Sequence, residues 1–253
     1  KVGYGTCSDR PSTGGRTVIC VLAGGVGAAR LLAGLVRVVS PGEIVAVVNT
    51  ADDVVLHGLH ISPDIDTVTY TLAGTHNTDT GWGLAGETWE AMGALKSLGG
   101  PTWFSLGDRD LGTHLYRTGR LAEGAGLPEV TGEITTAFEL EVRLLPMTED
   151  PVATHVTLAE GPQTGVEVGF REWFVGHRHE LAISKVRFDG IASAKAGPGV
   201  LGAIAEAEVV VVAPSNPIVS IGPLLAVPGL AEALQARRHS NVAVSPIVAG
   251  AAL

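Results

Sequence analysis

The feature that most constrains the fold of this chain is a repeated order of short apolar runs, polar turns and helix-compatible segments. Four runs rich in β-branched residues each lead into a turn of Gly, Asn, Asp, Pro or Ser. Continuous apolar strands that alternate with helices are typical of a parallel sheet covered on both faces. The order therefore predicts an α/β protein with a doubly wound, mainly parallel sheet. The four runs are TVICVLA (17–23), EIVAVVNT (43–50), EVVVVAP (208–214) and NVAVSP (241–246).

The middle of the chain has a different pattern and predicts an insertion. Residues 88–123 look helical with a break at GGPTWF, and residues 153–175 alternate between apolar and polar side chains around a Gly/Pro turn. Such alternation indicates a β-hairpin. We therefore expect helices plus a hairpin, inserted at about 75–190, to close over one edge of the sheet within a single domain of residues 17–253. Residues 1–16 are expected to form a flexible extension.

Composition and charge argue against several classes of partner. Hydrophobic residues make up 45% of the 253 residues, which is enough for a large buried core. The formal net charge of −9 argues against nucleic acid and anionic membranes. No apolar run reaches the roughly 18 residues of a membrane span, and the N-terminal segment lacks the apolar region of a signal peptide. We therefore expect a soluble cytoplasmic protein that meets any anionic ligand with local Arg, backbone N–H groups or a metal ion.

Glycines and polar side chains follow the predicted strands, whose carboxyl ends meet at the edge of the sheet where ligands bind. In LAGGVGAAR, closely spaced glycines open a helix, so backbone N–H groups and the helix N-terminus can hold an anion. The stretch lacks the full dinucleotide fingerprint and a P-loop Lys, so a tight turn without ligand is the alternative. For APSNP the alternative is an ordinary helix N-cap. The predicted ligand contacts at this edge are Gly24, Gly25, Gly27, Asn49, Ser215 and Asn216.

The stretch NTADDVVLHGLHISPDIDT (49–67) crowds four carboxylates beside apolar strand residues. Mutually repelling carboxylates need a cation nearby, and Mg²⁺ prefers a few carboxylates together with water and substrate phosphates. Helix capping is the alternative for Asp64 and Asp66, and a turn is the alternative for Asp53. The cluster therefore predicts a magnesium site at the edge of the sheet. Its members are Asp52, Asp53, Asp64 and Asp66.

Two further stretches carry candidate ligand contacts. SLGDRDLGTHLYR (105–117) continues as a helix that places Asp110, His114 and Arg117 on one face, although a solvated face with salt bridges is an equal alternative. FREWFV supplies Trp173 and Phe174, which can stack on a flat heterocycle, although packing in the core is the favoured interpretation.

Together the motifs resemble the 2-phospho-L-lactate transferase family of coenzyme F-420 biosynthesis. They occur in one order along nearly the whole chain, and SPDIDT followed by LGDRD and PSNPIVSIGP is far more specific than a single glycine loop. Members of this family usually continue beyond the block SPIVAG, so the family's C-terminal part is expected to be absent from this chain. The matching stretches are LAGGVGAARLLAGL, VVNTADD, HGLHISPDIDTVTYTLAG, GWG, LGDRDLGTHL, RLLPMTEDPVATHV, FREWFV, APSNPIVSIGPLLAVPGL and VSPIVAG.

The resemblance implies a Rossmann-like core with a helical insertion, a homodimer and a Mg²⁺-dependent transfer. The donor would be a guanosine diphosphate derivative that carries 2-phospholactate or phosphoenolpyruvate, and the acceptor would be the 5-deazaflavin FO. The terminal ribityl hydroxyl of FO would attack the phosphorus that bears the small acid, and GMP would leave. One alternative is a nicotinamide-dependent dehydrogenase with an atypical Rossmann loop. The other is a non-catalytic protein that binds a deazaflavin or a nucleotide.

The resemblance also implies roles for individual residues. Asp66 matches a position that contacts FO and lies close to the metal, and Asp52 matches a metal ligand, so Asp52 and Asp66 are the predicted ligands of the Mg²⁺ ion. Ser105 matches another FO contact, and the glycine loop and PSNP match the nucleotide side of the cleft. Phosphoryl transfer depends on positioning and charge neutralisation, so Asp66, Asp53 and Asp64 are the predicted catalytic residues. The block LGDRDLGTHL adds the predicted substrate contacts Asp108, Arg109 and His114.

Overall fold

Five parallel strands form the central sheet in a computed structural model, which describes residues 18–79, 81–176, 181–248 and 251–252. Among these residues the strands are β1 Ile19–Ala23, β2 Ile44–Val48, β3 Val54–Leu56, β4 Leu59–Ile61, β5 Arg143–Pro146, β6 Ala153–Leu158, β7 Glu167–Gly169, β8 Ile183–Asp189, β9 Val209–Val212, β10 Asn241–Ala243, β11 Ile247–Val248 and β12 Ala251–Ala252. The α-helices are α1 Gly25–Leu35, α2 Pro63–Leu72, α3 Glu90–Ser97, α4 Asp108–Ala122, α5 Leu127–Ala137, α6 Val200–Glu206, α7 Ile221–Ala226 and α8 Leu230–Ala236.

The central sheet has the strand order β10-β9-β1-β2-β5, and each pairing in it is parallel. The first strand of the chain lies in the middle, with β2 and β5 on one side and β9 and β10 on the other. This is the doubly wound arrangement predicted from the four apolar runs, so the predicted α/β class is confirmed. The strand order reverses between β1 and β9, which is where open α/β sheets usually bind their ligands.

The central strands are continuously apolar because both faces of the sheet are covered. Successive side chains of a strand point to opposite faces. Cys20 and Leu22 pack with residues of α6, α7 and α8 on one face, whereas Val21 and Ala23 pack with α1 and α2 on the other. The register pairs Ala23 with Val48, so β1 and β2 end at the same level. The turns that follow these strands therefore start at one edge of the sheet.

The predicted insertion of helices plus a hairpin is present, but it is not continuous. Helices α3 and α4 confirm the helical prediction, with the expected break between them, and α5 follows. The chain then returns to the parallel sheet, where β5 pairs with β2. The RLLP run of β5 has only four residues, which is too short to be recognised as a strand beside the longer helical pattern. The insertion therefore consists of a helical part before β5 and a β part after it.

The β part of the insertion is a three-stranded antiparallel sheet in the order β7-β6-β8. The predicted hairpin is confirmed for β6 and β7, but its second strand ends at Gly169 rather than running through FREWFV. Phe170 and Arg171 begin a helical turn that continues as a π-helical turn over Glu172–Gly176. The residues predicted to extend the hairpin therefore leave the sheet and reach the carboxyl edge of the central strands.

Two other predictions concern the ends of the chain and the membrane. Residues 1–16, expected to form a flexible extension, lie outside the described residues. Within the described ranges, the helices are too short or too polar to cross a lipid bilayer.

Candidate active site

A cavity of about 730 Å³ opens at the carboxyl edge of the central sheet, beside the point where the strand order reverses. Its volume is in the range of sites that hold small-molecule ligands. The cavity is lined by the glycine loop after β1, the turn after β2, the start of α2, one face of α4, the segment after β7 and the turn after β9. The structure thus brings together most of the predicted site residues. Those that line the cavity are Gly24, Gly25, Gly27, Asp52, Asp64, Asp66, Ser105, His114, Ser215 and Asn216.

The glycine loop lies directly against the turn that follows β9. A Cβ atom on Gly27 would overlap the carbonyl oxygen of Pro214, and one on Gly24 would lie 2.6 Å from the Cβ of Ser220. Gly25 has a φ of +61°, a left-handed conformation that side chains disfavour. Because these positions carry no side chain, α1 begins in contact with the Pro214 turn. The two segments predicted to form the nucleotide side of the cleft are therefore neighbours.

The aspartate cluster is neutralised in part by an arginine that the sequence pattern did not identify. Arg171 Nη2 lies 3.3 Å from Asp64 Oδ1 and 3.7 Å from Asp52 Oδ2. Asn49 Nδ2 donates a 3.0 Å hydrogen bond to the second oxygen of Asp64. Asp64 and Asp66 both lie in the first turn of α2, where the helix N-terminus favours negative charge. Asn49 thus orients the carboxylate of Asp64 and does not itself line the cavity.

The second arginine of the site, Arg117, pairs with Asp66. Its Nη1 donates a 3.1 Å hydrogen bond to Asp66 Oδ2, and its Nη2 donates to Asp66 Oδ1. The Arg117 side chain is 1% exposed and the Asp66 side chain 7% exposed. This two-pronged pair fixes the orientation of Asp66 at the cavity wall. Both carboxylate oxygens of Asp66 are therefore engaged by Arg117.

A buried polar chain continues from this pair along one face of α4. Because arginine has no acceptor, the 3.3 Å contact between Arg117 Nη1 and His114 Nδ1 is a hydrogen bond in the tautomer that carries its proton on Nε2. His114 Nε2 lies 3.2 Å from Asp110 Oδ2, and the hydroxyl of Tyr70 donates a 2.6 Å hydrogen bond to Asp110 Oδ1. Asp110, His114 and Arg117 are all buried. The prediction that these three side chains share one face of α4 is confirmed, and the alternative of a solvent-exposed face with salt bridges is wrong.

Besides Asn49, three predicted site residues have other partners and lie outside the cavity lining. Asp53 accepts a 2.7 Å hydrogen bond from the hydroxyl of Ser62. Asp108 accepts hydrogen bonds from the first two backbone N–H groups of α3, so its carboxylate stabilises the N-terminus of that helix. The guanidinium of Arg109 donates to the carbonyl of Ala85. The structure does not place Asp53, Asp108 and Arg109 in the cavity lining, and their roles as catalytic residues or substrate contacts stay predictions.

Aromatic side chains also line the cavity and are called its aromatic rim here. Trp82, Phe104, Phe170 and Phe174 line it, and the rings of Trp82 and Phe104 are stacked with centroids 6.5 Å apart. Trp173 instead donates its indole N–H to the carbonyl of Leu181 at 2.8 Å and is absent from the lining. Of the two aromatic residues predicted from FREWFV, Phe174 therefore lines the cavity, whereas Trp173 packs outside it. Trp82 and Phe104 lie in irregular segments, where no periodic pattern marks their side chains.

The carboxylates beside Arg171 have properties that suit a divalent cation. The pKa of Asp52 is raised to about 7, mainly by burial; the Arg171 guanidinium opposes this rise and the neighbouring carboxylate of Asp64 adds to it. Burial also raises the pKa of Asp64. Asp52 Oδ1 is buried and has no hydrogen-bond partner among the described residues. The residues that best fit a metal ion are therefore Asp52 and Asp64, because Asp66 is already held by Arg117.

The raised pKa of Asp52 leads to a prediction about stability. A carboxyl group whose pKa is raised from 3.8 to about 7 on folding binds protons more tightly in the native state, so its contribution is full below about pH 4 and is lost as the pH rises through about 7. We expect the free energy of unfolding, measured by urea denaturation in EDTA, to fall between pH 5 and pH 8. In Asp52→Asn the fall should be smaller by on the order of 1 kcal/mol. Equal pH dependence of the two proteins would contradict this assignment.

Fold and cavity together define a Rossmann-like α/β protein with a ligand-sized site that combines a glycine loop, arginine-paired aspartates and an aromatic rim. The chain belongs to the 2-phospho-L-lactate transferase CofD family, whose sequence model matches residues 19–252. It is therefore a transferase, and the dehydrogenase and non-catalytic alternatives are wrong.

Individual relatives agree with this assignment. The chain is 46% identical over 235 residues to a phosphoenolpyruvate transferase from Kitasatospora aureofaciens, a match that covers 92% of this chain and 73% of the relative. It is 44% identical over 243 residues to a phosphoenolpyruvate transferase from Nocardia farcinica, covering 95% and 73% respectively. A crystal structure of a UPF0052 family member from Bacillus halodurans has a TM-score of 0.59 at 22% identity. The match covers 87% of this chain and 66%, just under two thirds, of the Bacillus halodurans chain. At this low identity, the similarity shows only that the two chains share a fold.

Proposed function

We propose that this chain transfers a 2-phospho acid from a guanosine diphosphate-linked donor to the 5-deazaflavin FO, with release of GMP, in coenzyme F-420 biosynthesis. One observation carries the proposal: the same cavity is lined by arginine-paired aspartates, by a glycine loop and by an aromatic rim. The aspartates and the glycine loop suit a metal-bound diphosphate, and the aromatic rim suits a flat heterocycle. The relatives named phosphoenolpyruvate transferase favour phosphoenolpyruvate over 2-phospholactate as the transferred acid.

The donor is proposed to bind against the glycine loop and the turn after β9, which lie side by side in the cavity wall. Ser215 Oγ is buried in the cavity wall and has no hydrogen-bond partner within the part of the chain that the structure describes. The side-chain oxygen of Asn216 accepts from the backbone N–H groups of Ile218 and Val219, which leaves its amide N–H groups for a ligand. These groups supply donors for phosphate or for the edge of a base at the N-terminus of α1, where the backbone N–H of Gly25 already donates to Asp64.

The proposed magnesium ion would be held by Asp52 and Asp64. When bound, it would neutralise the charge of the diphosphate and stabilise the leaving phosphate. The described residues contain no group of three or more His, Cys, Asp and Glu side chains that could hold a metal. The remaining coordination positions therefore belong to water and to donor oxygens, as Mg²⁺ commonly requires. Asp66, predicted from the sequence as a metal ligand, is proposed instead to act on the acceptor.

The acceptor is proposed to bind at the aromatic rim, with its ring system beside Trp82 and Phe104 and its ribityl chain directed toward Asp66. Asp66, oriented by Arg117, would accept the proton of the terminal ribityl hydroxyl. The hydroxyl oxygen would form a bond to the phosphorus that carries the small acid, while the bond from that phosphorus to the oxygen of the GMP phosphate breaks. Ser105, which also lines the cavity, is proposed as a further contact of the acceptor.

Incubation with FO, Mg²⁺ and each guanylated donor tests this function when the product is identified by mass spectrometry. We expect FO to gain the mass of enolpyruvyl phosphate or lactyl phosphate, and GMP to appear in equal amount. Unchanged FO with every donor, in protein shown to be folded, would refute the proposal. The cytoplasmic location and the homodimer expected from the sequence belong to the same proposal, and light scattering of the purified chain tests the dimer.

A variant at the proposed metal site gives a quantitative prediction. Asp52→Asn keeps the size of the side chain but removes its charge, and we expect turnover at limiting Mg²⁺ to fall by about 10–100-fold. Initial rates of GMP release measure the effect. Asp189→Asn is the matched control, because Asp189 is an exposed aspartate that pairs with Arg187 outside the cavity. A near wild-type rate for Asp52→Asn would rule out its proposed role.

A further inference from the structure

Arg171 occupies an unusual position for a cation at the floor of the cavity. It extends from the helical turn after β7, outside the central sheet, and its side chain is 17% exposed. One nitrogen, Nη2, contacts both Asp52 and Asp64, and the contact with Asp64 is a hydrogen bond of 3.3 Å. Arg171 Nε is buried without a partner among the described residues. The guanidinium therefore has donors to spare at a position that lines the cavity.

The contacts of Arg171 are made with the same two carboxylates that best fit a divalent cation. A guanidinium and a metal ion near these oxygens would repel each other, so the two cations compete for Asp52 and Asp64. Without either cation, two buried carboxylates would face each other without compensation. The anionic donor lies next to this pair in the proposed function, and a planar guanidinium binds phosphate oxygens well.

We propose that Arg171 is an exchangeable counter-ion: it neutralises Asp52 and Asp64 before metal binding and turns its guanidinium to the donor's diphosphate once a metal takes its place. Arg171 then acts as a positioning residue for the anion and as a competitor of the metal. The part that concerns the donor rests on the proposed function, whereas the competition with a metal does not. It follows that Arg171 couples the two binding events, because metal binding releases the group that holds the diphosphate.

Two binding measurements on Arg171→Gln test the exchange. Titration with Mn²⁺ alone, followed by the loss of the free-ion electron paramagnetic resonance signal, should show binding at least about fivefold tighter than wild type, since coupling energies are commonly of this size. Titration with GDP at saturating Mg²⁺, followed by calorimetry, should show binding about tenfold weaker or worse. A role limited to packing would not shift the two affinities in opposite directions.

Control variants separate charge, geometry and folding. Arg171→Lys keeps the charge but not the planar fork, so we expect nearly unchanged Mn²⁺ binding and GDP binding weakened by a few-fold. Arg187→Gln, at an exposed arginine that pairs with Glu167 and Asp189, should change neither affinity. If Arg171→Gln does not fold, Arg171→Lys still decides the outcome, because GDP affinity equal to wild type would overturn the proposal.

The results also distinguish this inference from the proposed function. Weaker or unchanged Mn²⁺ binding by folded Arg171→Gln would overturn the exchange, whatever the substrates are. Tighter Mn²⁺ binding by this variant, combined with wild-type protein that fails to bind GDP, would support the competition and refute the guanosine diphosphate donor.

Discussion

Replacing Arg117 by methionine is expected to lower the free energy of unfolding by about 3–5 kcal/mol, because it leaves the buried carboxylate of Asp66 without its counter-ion. Arg117 is among the largest fully buried side chains of the described structure, and both of its terminal nitrogens contact Asp66. The substitution also removes the donor to His114 Nδ1. Urea denaturation at pH 7 measures the loss.

Matched variants show whether the pair acts as a unit. Asp66→Asn alone should also be strongly destabilising, whereas the double variant should be more stable than the sum of the two single losses predicts. Arg120→Met is the control on the same helix, because the partly exposed Arg120 pairs with Glu123 and Glu133. Its cost should be about 1 kcal/mol or less. Additive losses for Arg117 and Asp66 would contradict a coupled buried pair.

Replacing Gly27 by alanine is expected to disturb both the fold and the donor side of the cavity. The new methyl group would overlap the carbonyl oxygen of Pro214, so α1 and the turn after β9 must move apart. We expect a loss of about 1–3 kcal/mol in the free energy of unfolding, the usual cost of an overpacked site. GDP binding at saturating Mg²⁺, measured by calorimetry, should weaken by at least about tenfold, since both segments belong to the proposed donor site.

A second glycine of the same helix provides the control for Gly27. A Cβ atom on Gly34 would have no described heavy atom within 4 Å outside its own helix and chain neighbours. Gly34→Ala should therefore raise the free energy of unfolding by about 0.5–1 kcal/mol, because alanine has the higher helix propensity. GDP affinity should not change. If Gly27→Ala were as stable as Gly34→Ala and bound GDP equally well, the close contact with Pro214 would have no role.

Much of the fold could be predicted because its signals are local. Continuous β-branched runs followed by turns identify β1, β2, β9 and β10, and parallel strands place the ends of these runs at one edge. The short strand β5 could not be recognised, because a run of four residues that begins with Arg143 and ends with a proline is compatible with a strand, a helix or a turn. Its pairing with β2 is decided by the rest of the sheet.

The candidate site was only partly predictable for a related reason. The glycine loop, Asp52, Asp64 and Asp66 were predicted as site residues because they follow strands directly or open a helix. Asp108 and Arg109 are charged residues in an equally suggestive motif, but the carboxylate of Asp108 accepts hydrogen bonds from the N-terminus of α3 and does not face the cavity. Residue type and spacing therefore identify candidates, and the available hydrogen-bond partners decide which of them face a ligand.

The sequence by itself determined the class of fold, the family and most of the segments that line the cavity, because strand patterns, turns and motifs are properties of neighbouring residues. Only the tertiary structure decided the partners of the charges. Arg117 lies 51 residues from Asp66, and Arg171 lies 107 residues from Asp64. Coulombic attraction and desolvation depend on distance and burial in space, so no pattern along the chain could show which arginine neutralises which aspartate.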